Sequence, residues 1–202
     1  MSRLRTFGMV VVSAILVGVA GAPPASADPA SADPGEVRQG VVDAAKSAPA
    51  LDERSLARAQ AEVVAAVKER RASTSARVVC YRAHVQDIGW QSVRCDGQVA
   101  GTTGQSRRLE ALTVAVSIDV GGVCYQAHVQ DIGWQSVRCN GQVAGTTGQS
   151  LRLEALAIAV SSGNICYRAH VQDIGWQSVR CNGQVAGTTG QSLRLEAISI
   201  TV

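Results

Sequence analysis

His84 and Asp87 stand close together in the phrase HVQDIGWQSVRC, which recurs letter for letter with His128 and Asp131 and again with His170 and Asp173. A histidine beside a carboxylate can orient a general base or help hold a metal. Neither chemistry is completed here. No nucleophile is specially placed, Ser92 falls on a strand predicted to face the core, and an active site copied three times would be unusual. His84 therefore reads as a strand residue packed at an interface and Asp87 as a turn residue, with no catalytic residue in the chain. The other recurring acids are Glu110, Glu154 and Glu196, which follow Arg108, Arg152 and Arg194. Acid and arginine are taken to point to opposite strand faces, so they are not read as simple pairs. Glu110 shares a face with Leu112 and Val114, which predicts partial burial with a hydrogen-bonding partner. Cleavage of a glycosidic bond by paired acids needs two carboxylates about 5–9.5 Å apart, and nothing places a second one.

The same phrase supplies an aromatic. Trp90, Trp134 and Trp176 are either core residues or sugar-stacking platforms, and the strand register given below puts them in the core. If a ligand site exists, its best constituents are Asp87, Trp90 and Gln91 with the loop threonines Thr102 and Thr103. The second copy is Asp131, Trp134, Gln135, Thr146 and Thr147, and the third is Asp173, Trp176, Gln177, Thr188 and Thr189. Three such sites would be weak singly and gain strength by multivalency.

Strands must position these residues. VVCYRAHVQ alternates, with Val79, Tyr81, Ala83 and Val85 on one face and Cys80, Arg82, His84 and Gln86 on the other. A turn at Asp87-Ile88 with a return as GWQSVRC sets Cys95 opposite Cys80, Tyr81 opposite Arg94, Ala83 opposite Ser92 and Val85 opposite Trp90. The register predicts the disulfides Cys80–Cys95, Cys124–Cys139 and Cys166–Cys181. Each would close a loop worth about 3 kcal/mol in the chain-entropy model. The cysteine spacing lacks the close CxxC pairs of structural zinc sites, so no metal and no cofactor is expected. The Asp-Gly and Asn-Gly steps that follow are hairpin signals, AGTTGQS is a glycine-rich loop, and LRLEALAIAV is a last strand. That makes four strands per unit and about twelve in all.

Cys80, Cys124 and Cys166 open the units at intervals of 44 and 42 residues. Residues 77–118, 119–162 and 163–202 thus form three repeats of an all-β domain spanning 77–202. An open array would leave its first and last strands as bare edges. A closed pseudo-threefold domain, β-prism-like or alternatively a β-trefoil, lets those edges meet. Residues 28–76 read as a flexible lead and a short α-helical arm. Helices are predicted in EVRQGVVDAAKSA and LDERSLARAQAEVVAAVKERRAS, on either side of Pro49. Asp52 is a plausible N-cap, and Leu56, Val63 and Val67 lie near one face. The apolar stripe is thin, so the arm is expected to be a stalk or loosely docked. Residues 1–27 have Arg3 and Arg5, an apolar run and a terminal Ala25-Ser26-Ala27, the pattern of a secretory signal peptide. No later stretch is apolar enough to span a membrane. The net charge is only +3, with no basic stripe interleaved with aromatics, so nucleic acid is not an expected partner. The six cysteines fit an oxidising compartment.

Residues 79–202 resemble the clostridial hydrophobic repeats with a conserved Trp (ChW repeats). The resemblance rests on YRAHVQDIGWQ, DGQVAGTTGQS and RLEALTVAV, and it recurs in all three units. It implies exported bacterial proteins acting in cell-surface attachment or in binding polysaccharide or protein, and it implies no catalytic residues. Members often carry a second Trp where this chain has Val93, Val137 and Val179, and generally lack these cysteines. The expected function is a secreted, non-catalytic, adhesion-type binding module. Its expected partner is a cell-wall or extracellular polysaccharide or a surface protein, and its expected location is extracellular or cell-wall associated. The alternatives are a structural, protein-interaction role with oligomers formed through the helical arm, and, further off, a hydrolase.

Overall fold

A computed structural model describes residues 50–202. The segment read as a signal peptide and the first predicted helix lie outside the described residues. Among the described residues one α-helix, α1 (Ala50–Ser73), precedes fifteen strands. Repeat 1 holds β1 (Val79–Val85), β2 (Gly89–Trp90), β3 (Arg94–Cys95), β4 (Ala100–Gly101) and β5 (Leu109–Val116). Repeat 2 holds β6 (Val123–Val129), β7 (Gly133–Trp134), β8 (Arg138–Cys139), β9 (Ala144–Gly145) and β10 (Leu153–Val160). Repeat 3 holds β11 (Cys166–Val171), β12 (Gly175–Trp176), β13 (Arg180–Cys181), β14 (Ala186–Gly187) and β15 (Leu195–Thr201). Each repeat thus has five strand segments rather than four, because the returning limb of the first hairpin breaks in two.

The long first and last strands of each repeat pair antiparallel and carry the two short return strands along one edge. The fourth strand does not stay at home. β9 pairs with β5, β14 with β10, and β4 with β15, so each sheet takes a short strand from another repeat. No sheet closes on itself. The Asp-Gly and Asn-Gly turns form as the sequence indicates, with positive φ at Asp96, Gly97, Asn140, Gly141, Asn182 and Gly183. They lead the chain out of one sheet and into another instead of closing a hairpin within one. Gly101 shows why the borrowed strand needs glycine. A Cβ there would sit 2.3 Å from the Glu196 carbonyl oxygen, and Gly145 and Gly187 are in the same position against Glu110 and Glu154.

A single core draws on all three repeats. Tyr81, Tyr125 and Tyr167 lie in it almost fully buried. Each phenol spans two repeats, as a buried hydroxyl must find partners. Tyr125 donates to the Gln142 carbonyl of its own repeat and accepts from the Val114 N–H of repeat 1 at 3.0 Å. Tyr167 accepts from Ile158 N–H of repeat 2 at 2.9 Å, and Tyr81 from Ile200 N–H of repeat 3 at 3.1 Å. Burial pushes the phenols up, Tyr125 to about 12. The disulfides Cys80–Cys95, Cys124–Cys139 and Cys166–Cys181 are all formed, each joining directly opposed strand residues.

The helix is not a stalk. Val63 and Val67 are buried against Val78, Cys80, Cys95 and Ala115, and Ala59 is fully buried as well. Each buried valine contributes about 1.5–3 kcal/mol, enough to hold a helix whose stripe is too thin to be stable alone. Ionic contacts fix its seat: Arg70 to Asp96 at 2.9 Å, Glu62 to Arg82 at 2.5 Å and Arg71 to Asp119 at 3.5 Å. Asp96 becomes Asn140 and Asn182 in the other repeats, so this ionic seat exists in repeat 1 alone. The helix begins at Ala50, ahead of the cap expected at Asp52.

Candidate functional site

The tryptophans are not in the core. Cys80 still faces Cys95 and Tyr81 faces Arg94, but Trp90 pairs with His84 and Gly89 with Val85. The register slips by one residue in the irregular stretch 91–93, and a one-residue slip carries every side chain to the other face. The expected pairing of Val85 with Trp90 and of Ala83 with Ser92 is therefore overturned. Ser92 is exposed. Trp90 and Trp176 are half-buried and Trp134 is 41 % exposed, so the indoles stand on the outer face.

A bulge builds the support beneath them. His84 pairs with Ala111 and Val85 with Leu109, leaving Glu110 as an extra residue in β5, and the same shift recurs in repeats 2 and 3. A bulge re-aims the side chain it carries. Glu110 Oε1 accepts from Arg108 Nε at 2.9 Å and from Arg108 Nη2 at 2.7 Å. Glu110 Oε2 lies 3.0 Å from His84 Nδ1. Arg152–Glu154–His128 and Arg194–Glu196–His170 repeat the arrangement, with His to carboxylate at 3.1 Å in each. Arginine and glutamate are two positions apart and share a face, so they do pair, contrary to the sequence reading. The glutamate side chains are only 7 % exposed, with one oxygen taking both arginine bonds and the other within ion-pair distance of the imidazole, and the paired arginine bonds hold the carboxylate in one orientation. The imidazole in turn meets the indole edge-on, with ring centroids 5.3 Å apart in repeat 1 and 5.4 Å in repeats 2 and 3. Each Trp thus rests on a chain of Trp, His, Glu and Arg that ends in the sheet.

Of the other anticipated residues, Gln91, Gln135 and Gln177 are spent on the backbone. Gln91 Oε1 accepts from Gly101 N–H at 2.6 Å while its Nε2 donates to the Gly101 carbonyl at 3.3 Å, and the other two copy this at Gly145 and Gly187. The glutamine therefore ties the Trp hairpin to the start of the GTTGQ loop, bringing two of the three expected parts together. Asp87, Asp131 and Asp173 hold positive φ at the turn tip, as turn residues do, and are exposed. Thr102, Thr146 and Thr188 have buried hydroxyls with no protein partner among the described residues. Thr103 and Thr189 are exposed and Thr147 is half-buried. The histidine of each unit finds glutamate rather than the nearby aspartate.

Two contributors escaped the sequence reading. Arg82 and Arg168 lie over the Trp90 and Trp176 rings, at 5.8 and 4.9 Å from the centroids, whereas repeat 2 has Gln126 there. Their signal was the shared strand face of Arg82 and His84, which points at Trp90 once the slip is allowed. Elsewhere a groove of about 440 Å³ runs beside α1, lined by Val64, Val67, Ala115 and Ile118 among others. It includes none of the anticipated site residues.

These features define a β domain of three strand-exchanging, disulfide-stapled repeats, each presenting one braced tryptophan. The clostridial hydrophobic W (ChW) family matches the chain three times, over residues 84–117, 128–162 and 170–202. Those stretches make up just over half of the sequence, and the chain belongs to that family. Cys80, Cys124 and Cys166 precede the matched stretches. No curated protein and no solved structure matches the chain. Among the described residues no helix is long and apolar enough to cross a membrane, and three formed disulfides fit an oxidising compartment outside the cytosol.

Proposed function

We propose that this protein is a secreted, non-catalytic binding module for cell-wall or extracellular polysaccharide, with one ligand platform per repeat. The observation that carries this reading is the outward placement of Trp90, Trp134 and Trp176, each held edge-on by a histidine that a buried glutamate fixes. An indole face offers a flat apolar surface to the C–H face of a pyranose, and bracing it beforehand lowers the ordering cost of binding. Such platforms suit a polymer with repeating units, because several weak contacts add through a high effective concentration. The pairing of β4 with β15, repeat 1 with repeat 3, supports a closed pseudo-threefold body of the β-prism kind that holds the platforms in fixed relation. An oligomer built through the arm has less support, since the apolar stripe of α1 is already spent on repeat 1.

Glycan arrays and pulldown on insoluble cell walls test the proposal. The wild-type chain should bind a polysaccharide, and Trp90→Ala, Trp134→Ala and Trp176→Ala combined should lose that binding while keeping the wild-type far-UV circular dichroism spectrum. Binding that persists in the triple variant would remove the platform from the account.

A further inference from the structure

The three platforms differ in what lies over them, and the difference names a ligand. In repeat 1, Arg82 sits above Trp90 and its Nη1 is met at 2.5 Å by the Glu62 carboxylate of α1. Arg82 also donates to the Gln91 and Trp90 carbonyls. In repeat 3, Arg168 occupies the same strand position and stacks closer on its indole, 4.9 Å from the Trp176 centroid. Arg168 is exposed, and among the described residues no carboxylate pairs with it. In repeat 2 the position is Gln126, with no charge, over the most exposed of the three indoles. Glu62 is therefore a stand-in supplied by the chain itself: it shows that an arginine held over this tryptophan takes a carboxylate.

The covering helix is not a general solution for the other faces. Its seat in repeat 1 uses Asp96 and Ala115, and repeat 3 has Asn182 and an exposed Thr201 there. A helix like α1 would lose an ionic partner and an apolar contact on repeat 3. What repeat 3 keeps is a guanidinium over an indole ring, without a carboxylate partner among the described residues, a pair that takes a ring with one apolar face and one carboxylate.

We propose that Arg168 and Trp176 form a site for a carboxylate-bearing sugar, a hexuronate unit of an acidic polysaccharide. This rests on the polysaccharide reading above and specifies its substrate class. The uronate ring lies on the Trp176 indole, and its carboxylate pairs with the Arg168 guanidinium as Glu62 pairs with Arg82. Repeat 1 is closed to the same ligand by Glu62. Repeat 2 offers an aromatic platform without charge selection.

The test is calorimetric titration of the full chain with an oligogalacturonate and with its fully methyl-esterified form, which keeps the rings and removes the charge. The acidic form should bind at least about tenfold more tightly, the scale of a charge-assisted hydrogen bond, and the preference should shrink as salt is raised. Arg168→Gln should erase the preference while leaving the weaker binding of the ester. Gln126→Arg should add a second acid-selective site, seen as increased stoichiometry. Equal affinity for the two forms, or a preference that survives Arg168→Gln, overturns this inference and leaves the broader reading standing. Binding of neither form here and of no polysaccharide on arrays overturns both. Arg168-dependent self-association in sedimentation, without any sugar preference, assigns the face to a protein contact and overturns the inference as well.

Discussion

The face of repeat 1 and the face of repeat 3 are built from nearly the same sequence and end up in different surroundings. Both carry a disulfide, an arginine over an indole, and a histidine pinned by glutamate. In repeat 1 the helix covers the disulfide, burying Cys80 and Cys95, and Val93 packs against it. In repeat 3 Cys166 and Cys181 are half-exposed and Val179 is 57 % exposed. Val137 in repeat 2 is open in the same way, at 54 %. The lesson is that the repeated residues specify the fold, whereas a few unrepeated ones specify the surface. Asp96, Asp119 and Glu62 decide which of three similar faces the helix takes, and burial of Val63 and Val67 makes the choice stick.

The largest effect is expected from abolishing the difference. Val63→Asp sets a carboxylate in a fully buried seat, which costs about 3–5 kcal/mol if the charge stays unpaired. The helix should be released instead, exposing Cys80–Cys95. In wild type, limited reductant with differential alkylation should open Cys124–Cys139 and Cys166–Cys181 before Cys80–Cys95. In Val63→Asp the three should open together.

Next is the strand exchange that both faces share. Gly145→Ala drives a methyl into the Glu110 carbonyl, at 2.3 Å, and adds strain at positive φ. The cost should be about 3 kcal/mol in denaturant unfolding. Gly148→Ala, also at positive φ but with open space around it, should cost about 1 kcal/mol.

A smaller effect probes the phenols. Tyr125→Phe leaves the Val114 N–H without its partner and should cost about 1–3 kcal/mol. The same phenol makes stability fall in alkali. Its folded pKa of about 12 lies above the ordinary 10, so its contribution is whole below pH 10 and is lost as pH rises through about 12. Denaturant titrations across that window should show a shallower decline in Tyr125→Phe. The smallest effect is Asp96→Asn. Asn140 and Asn182 make the equivalent backbone bond in repeats 2 and 3, so the variant loses only the exposed pair with Arg70, under about 1 kcal/mol.

The sequence carried the outline of this architecture because its strongest signals were local and triplicated. The cysteines, placed opposite one another by simple alternation, needed no knowledge of the remaining fold. The Asp-Gly and Asn-Gly turns were legible for the same reason. What alternation could not carry was any departure from it. The slip between Arg94 and Trp90 and the bulge at Glu110 each break the two-residue period, and between them they move the indole from core to surface and turn Glu110 toward His84. Strand exchange was hidden because Ala100 and Gly101 pair with residues almost a hundred positions away. The docked helix was underestimated because its thin stripe is judged by the surface it meets, and that surface belongs to repeat 1.

The placement of the indoles is the claim from which the platforms, the sugar reading and the uronate site all follow. Collisional quenching of tryptophan fluorescence by iodide in the native protein measures it directly, because all three tryptophans lie in the repeats. Red-shifted emission that iodide quenches in the folded state, with Trp134→Ala removing the most accessible fraction, is the predicted result. Blue-shifted emission that iodide reaches only after unfolding would put the tryptophans in the core and contradict the account.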